Sequence, residues 1–186
     1  ALTLADRRIE GLSARRRMAA GIGFVPENRK DDGLFLSLDI GGNMATAEIA
    51  RRRLLGWVPG MGARTAEIMR QLAVKAPDAR TPVVDLSGGN QQKVVLGRWL
   101  MAGARVLLCE EPTRGVDVGA KREIYRQLRN FAGQGRGVLV TSRELPELIG
   151  LCDRLLVIRN GELVAETMAR EATEDDLLRS ALPVVE

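Results

Sequence analysis

Histidine is absent from this 186-residue chain, which excludes Ser-His-Asp hydrolysis and every histidine-ligated metal centre. Aromatic residues amount to 3%, too few for the stacking platforms of single-strand binders, so no nucleic-acid partner is expected. Two cysteines are present, Cys109 inside an apolar run and Cys152 in a segment of mixed polarity, without C-x-x-C spacing. They read as reduced thiols of a cytosolic protein rather than as a disulfide. No run of about 18 apolar residues occurs, so no membrane-spanning helix is expected, and the first residues lack the pattern of a signal peptide. A phosphate-cradling loop is missing too. It requires G-x-x-x-x-G-K-[ST], in which a lysine follows a glycine. The lysines here (Lys30, Lys75, Lys93, Lys121) follow Arg29, Val74, Gln92 and Ala120.

What remains is an ordinary globular composition, 45% hydrophobic and 28% charged, long enough to bury a sizeable core in one domain with a subdomain. The net charge of +4 and the isoelectric point near 9.6 come largely from arginine, including clusters at 15–17 and 51–53. The ordinary reading of such clusters is solvated helix faces with glutamates nearby; phosphate or an anionic membrane surface is the alternative.

The pattern along the chain alternates between strands and helices. An apolar run at 22–25 ends at Pro26 and leads into a polar loop at 27–33. From 39 to 75 the apolar residues recur at helical spacing, interrupted by LLGWVPGMG at 54–62, where Gly and Pro separate two helices by an exposed loop. A turn-rich stretch at 76–85 precedes a helix over about 90–102. Strands are expected at 105–109, 138–141, 155–158 and 162–165, and helices at 119–131 and 145–151. Asn160-Gly161 is a strong hairpin signal between the last two strands, and Thr173 followed by Asp176 marks a capped start of a final short helix. This order implies a mostly parallel sheet with helices on its faces.

Two stretches carry the chemistry. Ser87-Gly88-Gly89 opens the helix at about 90, and a helix N-terminus offers unpaired N–H groups and a positive dipole end to phosphate. An S-G-G turn alone is an ordinary N-cap; here it continues as Asn90-Gln-Gln-Lys and lies one helix before VLLCEEP at 106–112. There an apolar strand ends in Glu110 and Glu111, placing one carboxylate near a magnesium ion and the next near an attacking water, as phosphoryl transfer requires. Asp117 is positioned to cap the helix that starts near Val118.

LSGGNQQK at 86–93 and VLLCEEPTRGVD at 106–117 stand in the order of the signature and Walker B motifs of an ABC-type ATPase. With GFVPENRKDDGL at 23–34, NMA at 43–45, EEPTRGVDVGAKREIY at 110–125 and ELPELIGLCDRLLVI at 144–158, the chain resembles the ATP-binding subunits of simple-sugar ABC importers of the ribose/galactose/xylose type. The match is to the second, C-terminal ATPase half of those duplicated proteins and covers nearly the whole length.

The resemblance implies a partial ABC ATP-binding domain over 1–186, an α/β P-loop NTPase fold with an incomplete parallel sheet and flanking helices, in which 34–102 form a helical signature-bearing subdomain and 103–186 the C-terminal part of the RecA-like core. It implies ATP and Mg2+ as cofactors. The implied partners are a second ATPase half, transmembrane permease subunits and, indirectly, an extracytoplasmic sugar-binding protein, with the chain peripheral on the cytoplasmic face of the membrane. Ser87, Gly88, Gly89 and Asn90 would contact nucleotide. Glu111 takes the general-base position, Glu110 replaces the Walker B aspartate with a longer side chain, and Glu27 stands for the usual glutamine. Arg143 occupies the switch-histidine position and cannot accept a proton at neutral pH, and Asp117 becomes the D-loop aspartate facing the other half. An intact signature beside an altered Walker B and switch suits completion of a partner's site in trans, with a weaker site on this half. The implied sheet includes a P-loop strand between those at 138–141 and 155–158, so the chain is expected to be a piece of a longer protein.

Two other readings stand beside this one. A soluble ABC-type ATPase of DNA repair or translation would suit the basic charge, but no long coiled coil or charged linker flanks the signature. A non-catalytic interaction module would dock through a loop bearing Trp57, Val58 and Met61. Without a phosphate cradle, the isolated chain is expected to give no saturable heat with Mg-ATP in calorimetry; a micromolar Kd would contradict this reading.

Overall fold

The computed structural model describes residues 1–52 and 60–182. They form two compact units, Ala1–Leu139 and Val140–Glu186.

The first unit opens with a small hairpin of β1 (Thr3–Leu4) and β2 (Arg7–Arg8), turned by Ala5 and Asp6 at positive φ, and continues into α1 (Ala14–Ala19). Strand β3 (Ile22–Val25) lies parallel to β4 (Val106–Glu110), in a register that sets Ile22 beside Val106 and Val25 beside Cys109. With β5 (Gly137–Thr141) they make a three-stranded sheet in the order β3-β4-β5. The strands coincide with the apolar runs of the sequence because alternate residues enter the core: Val25, Leu107 and Cys109 are buried. Burial pushes the Cys109 thiol up to about 12, so it stays protonated and behaves as a small hydrophobe.

Three helices follow the sheet's first strand: α2 (Ile40–Arg52), α3 (Met61–Gln71) and α4 (Gly88–Met101). The expected contact residues Trp57 and Val58 lie outside the described residues, and Met61 opens α3. Ile40, Met44, Leu72, Val94, Val95 and Met101 are almost fully buried. Such side chains contribute roughly 1.5–3 kcal/mol each by leaving water, which makes α4 the centre of the unit. After β4 the chain turns into α5 (Val118–Ala132), whose Ile124, Leu128 and Phe131 are buried along one face.

Buried polar side chains fix the details. Asn43 is fully buried; its amide oxygen accepts from Phe35 N at 2.8 Å, and its amide nitrogen donates to Phe35 O at 2.9 Å and Asp39 O at 3.0 Å. Arg98 of α4 donates from Nε to Asn43 O at 3.0 Å and from Nη2 to Asn43 Oδ1 at 3.3 Å, and desolvation lowers its pKa to about 10. The arginine pair that ends α2 is not a free basic patch. Buried Glu48 accepts from Arg51 at 2.7 Å and Arg52 at 2.6 Å, with Arg64 of α3 at 3.8 Å.

The second unit contains α6 (Leu145–Leu151), β6 (Arg154–Arg159), β7 (Glu162–Met168) and α7 (Glu174–Ala181) around Leu155, Ala169 and Leu177. Strands β6 and β7 pair antiparallel across Asn160 and Gly161, both at positive φ, as a two-residue hairpin turn of that twist needs. Thr173 Oγ1 accepts from Asp176 N at 3.2 Å, the N-cap of α7. Among the described residues no helix is long and apolar enough to cross a membrane.

Candidate functional site

Helix α4 starts at Gly88, two residues before the start read from the sequence, with Ser87 as its N-cap. The first intrahelical bond runs from Gln91 N to Ser87 O at 2.9 Å, so the N–H groups of Gly88, Gly89 and Asn90 precede the hydrogen-bonded ladder. Ser87 makes no side-chain cap bond. Its hydroxyl instead accepts from Asn90 Nδ2 at 3.0 Å, and a hydroxyl that accepts still has a proton to donate. Asn90 is oriented by accepting from Lys75 N at 2.9 Å through Oδ1. An exposed serine, three N–H groups and a helix dipole thus point the same way, and the donor set fits a phosphate.

The helix is held against rotation by its own side chains. Trp99 Nε1 donates to Phe24 O at 2.7 Å, tying α4 to β3. Lys93 is 2% exposed; its Nζ donates to Ala73 O at 2.8 Å and pairs with the Glu123 carboxylate of α5. The hydrogen bond from Lys93 holds Glu123 below its ordinary pKa, with Lys75 and Arg126 adding smaller attractions.

Both signature glycines have a reason beyond ligand access, which the sequence did not disclose. A Cβ on Gly88 would stand 2.4 Å from Arg29 Nη2 and 2.9 Å from Gly115 O. A Cβ on Gly89 would stand 2.5 Å from Ala120 Cβ, on the first turn of α5. The signature therefore touches the segment that follows the carboxylates.

That segment begins at Glu110, the exposed last residue of β4. Glu111 comes next at φ 43°, a left-handed conformation that costs a non-glycine residue roughly 1–2 kcal/mol. Arg114 N donating to Glu111 O at 3.0 Å closes the turn. The strain turns the chain away from the strand directly at the candidate base. Asp117 Oδ1 accepts from Ala120 N at 2.9 Å and caps α5. Glu27, just after β3, pairs with Arg114, so the structure brings Glu27, the 111–117 loop and the signature into one neighbourhood of the first unit. Arg143 belongs to the second unit, exposed in the turn before α6. There Ser142 Oγ donates to the buried Glu147 and accepts from Glu144 N at 3.1 Å.

Among the described residues no cluster of three or more acidic or thiol side chains forms a metal cage. Magnesium usually takes one or two carboxylates plus phosphate oxygens and water, and the exposed carboxylate of Glu110 at the end of β4 is of that donor type.

A family model described as ABC transporter matches residues 2–114. The ribose import ATP-binding protein RbsA of Corynebacterium glutamicum is 41% identical over 185 residues, 98% of this chain and 35% of that protein. The RbsA of Burkholderia mallei is 47% identical over 151 residues, 80% of this chain and 30% of its own length. The chain thus spans about a third of the length of these curated relatives. Among solved structures, the ATP-binding cassette MJ0796 in a dimeric post-hydrolysis state with ADP and Pi superimposes with a TM-score of 0.74 at 21% identity, covering 91% of this chain and 73% of that one. A nucleotide-free cassette from an ABC transporter gives 0.73 at 20%, covering 88% and 67%. These two likenesses speak to the fold, which is that of an ABC ATPase cassette.

The close approach of Gly89 to Ala120 generates a test whose sign is diagnostic. Helix propensity alone would make Gly89→Ala more stable by up to about 1 kcal/mol, whereas the clash should make it less stable by about 1–3 kcal/mol. In urea unfolding we expect the loss, and partial recovery when Ala120→Gly is added; a stabilised Gly89→Ala would show that the helices do not meet there. Signature, strand-end carboxylates and cassette fold agree with the match over 2–114: the chain belongs to the ABC transporter family.

Proposed function

We propose that this chain is part of the ATP-hydrolysing subunit of an importer of a simple sugar, and that the start of α4 completes an ATP site in trans. The phosphate cradle of that site would belong to another ATPase half. The observation that carries the reading is the open N-terminus of α4, where the exposed Ser87 stands beside three N–H groups that precede the hydrogen-bonded ladder. Identity to ribose import ATP-binding proteins supports the sugar-import part. The helical segment 34–102 acts as the signature-bearing subdomain, and 103–186 contributes to the core.

In this reading Ser87 donates its hydroxyl proton, and Gly88, Gly89 and Asn90 turn backbone N–H groups toward the γ-phosphate. Such preorganised donors stabilise charge as it develops on transferring oxygens. Asp117 faces the other half, and Glu27 stands beside the nucleotide on this one. Magnesium, when bound, neutralises phosphate charge; Glu110 would hold it, with one methylene more than an aspartate. Glu111 would take a proton from water, whereas Arg143, at the position where the family has its switch histidine, is a guanidinium and offers no base. The site on this half is therefore the weaker of the two. Permease subunits and a sugar-binding protein select the sugar, and the subunit sits on the cytoplasmic face of the membrane.

Substitution at Ser87 separates the two sites without disturbing the fold. Ser87 makes no side-chain cap bond that could be lost, and aspartate is as well suited to an N-cap position as serine, so Ser87→Asp should keep the parental stability. It also sets a carboxylate against phosphate, and at an effective dielectric near 20 such contact costs several kcal/mol. In the assembled transporter we expect ATP turnover to fall by about a hundredfold or more, while Glu111→Gln retains roughly half or more. Abolished hydrolysis in Glu111→Gln with normal turnover in Ser87→Asp would reverse the roles assigned to the two sites.

A further inference from the structure

Arg29 stands where three segments meet. It lies four residues beyond β3, in a π-helical turn over Arg29–Gly33. Its guanidinium donates from Nη1 to Arg114 O at 2.7 Å and from Nη2 to Gly115 O at 3.0 Å. From Nε it reaches the amide oxygen of Gln91 at 3.4 Å, and Gln91, buried in α4, donates in turn to Val83 O at 3.2 Å. The same Nη2 closes off the face of Gly88, the first residue of α4. Gly115 is at φ +66°, the left-handed conformation that presents its carbonyl next to that of Arg114. One planar group with five donors in a fixed fork can span two neighbouring carbonyls and a side-chain amide at once. An ammonium or a neutral amide cannot.

We infer that Arg29 is a positioning residue that locks the phosphate-facing end of α4 to the 111–117 loop. The signature and the strand-end carboxylates then move as one body. Under the proposed function these two belong to different ATP sites, so the fork links the geometry of one site to that of the other; this consequence rests on that reading, whereas the lock itself rests on the contacts. Arg114 and Gly115 are exposed residues, so water can replace the guanidinium as donor to their carbonyls. Loss of Arg29 therefore frees the spacing of the segments at small cost to the fold.

The test uses the assembled transporter with Arg29→Gln and Arg29→Lys, read by steady-state kinetics, hydrogen exchange and thermal melting. We expect the melting temperature to stay within a few degrees and the KM for ATP within about twofold. The kcat should fall about tenfold, and amide exchange should quicken in both 87–92 and 113–119. Arg29→Lys keeps the charge without the fork and should behave like Arg29→Gln. Faster exchange in only one of the two segments, or an unchanged kcat with both loosened, overturns the inference, as does full rescue by lysine. If Ser87→Asp turns over ATP at the parental rate while Arg29→Gln behaves as expected, the trans-site reading fails and the positioning role stands.

Discussion

Helix α4 cannot turn about its axis, and the rest of the site depends on that constraint. Lys93, Arg98 and Trp99 point into different neighbours, Lys93 and Arg98 are buried, and each has specific partners: Glu123 with Ala73, Asn43, and Phe24. A rotation of one residue, 100°, would strand two cations in the core, and an unpaired buried charge is far costlier than a lost surface contact. Apolar packing alone would leave Val94, Val95 and Leu96 free to exchange places at little cost, because shape complementarity among aliphatic residues is forgiving. The polar anchors remove that freedom. They leave only one direction in which the three N–H groups before Gln91 can point.

The same anchoring explains why the two chemical elements of the site are joined by contact rather than by chain continuity. Residues 87–90 and 110–117 are separated by α4 and β4, yet Arg29, Gly115 and Ala120 bring them within van der Waals distance of each other. The strain at Glu111 and the cap at Asp117 bracket the loop between them. A loop held at both ends and clamped in the middle has few conformations, which suits a place where charge must be met without reorganisation.

Much of this was legible in the sequence. The strand at 22–25 and the helix at 145–151 match the structure, because apolar runs bounded by proline or polar residues leave little choice. Asn160-Gly161 and Thr173 act locally, through φ and through one cap bond, and local rules need no knowledge of neighbours. The first hairpin escaped notice since Ala5 and Asp6 take positive φ without the usual glycine or asparagine. Helix α1 escaped too: none of its residues is buried, so it leaves no apolar stripe to read. The deeper gap was Arg29. Its partners are backbone carbonyls 85 and 86 residues away, and backbone acceptors carry no signature in a sequence. Arg29 and Ala120 occupy the space beside the signature glycines, and no local pattern discloses such neighbours.

The central claim is that the start of α4 meets a phosphate bound elsewhere. A structure of the assembled transporter with ATP trapped by a hydrolysis-blocking substitution in the other half addresses it directly. The account predicts Ser87 Oγ and Gly89 N at roughly 2.7–3.2 Å from γ-phosphate oxygens, with the remaining phosphates held by the facing half. A trapped nucleotide whose phosphates lie away from α4, with water filling the space before Ser87, would contradict it.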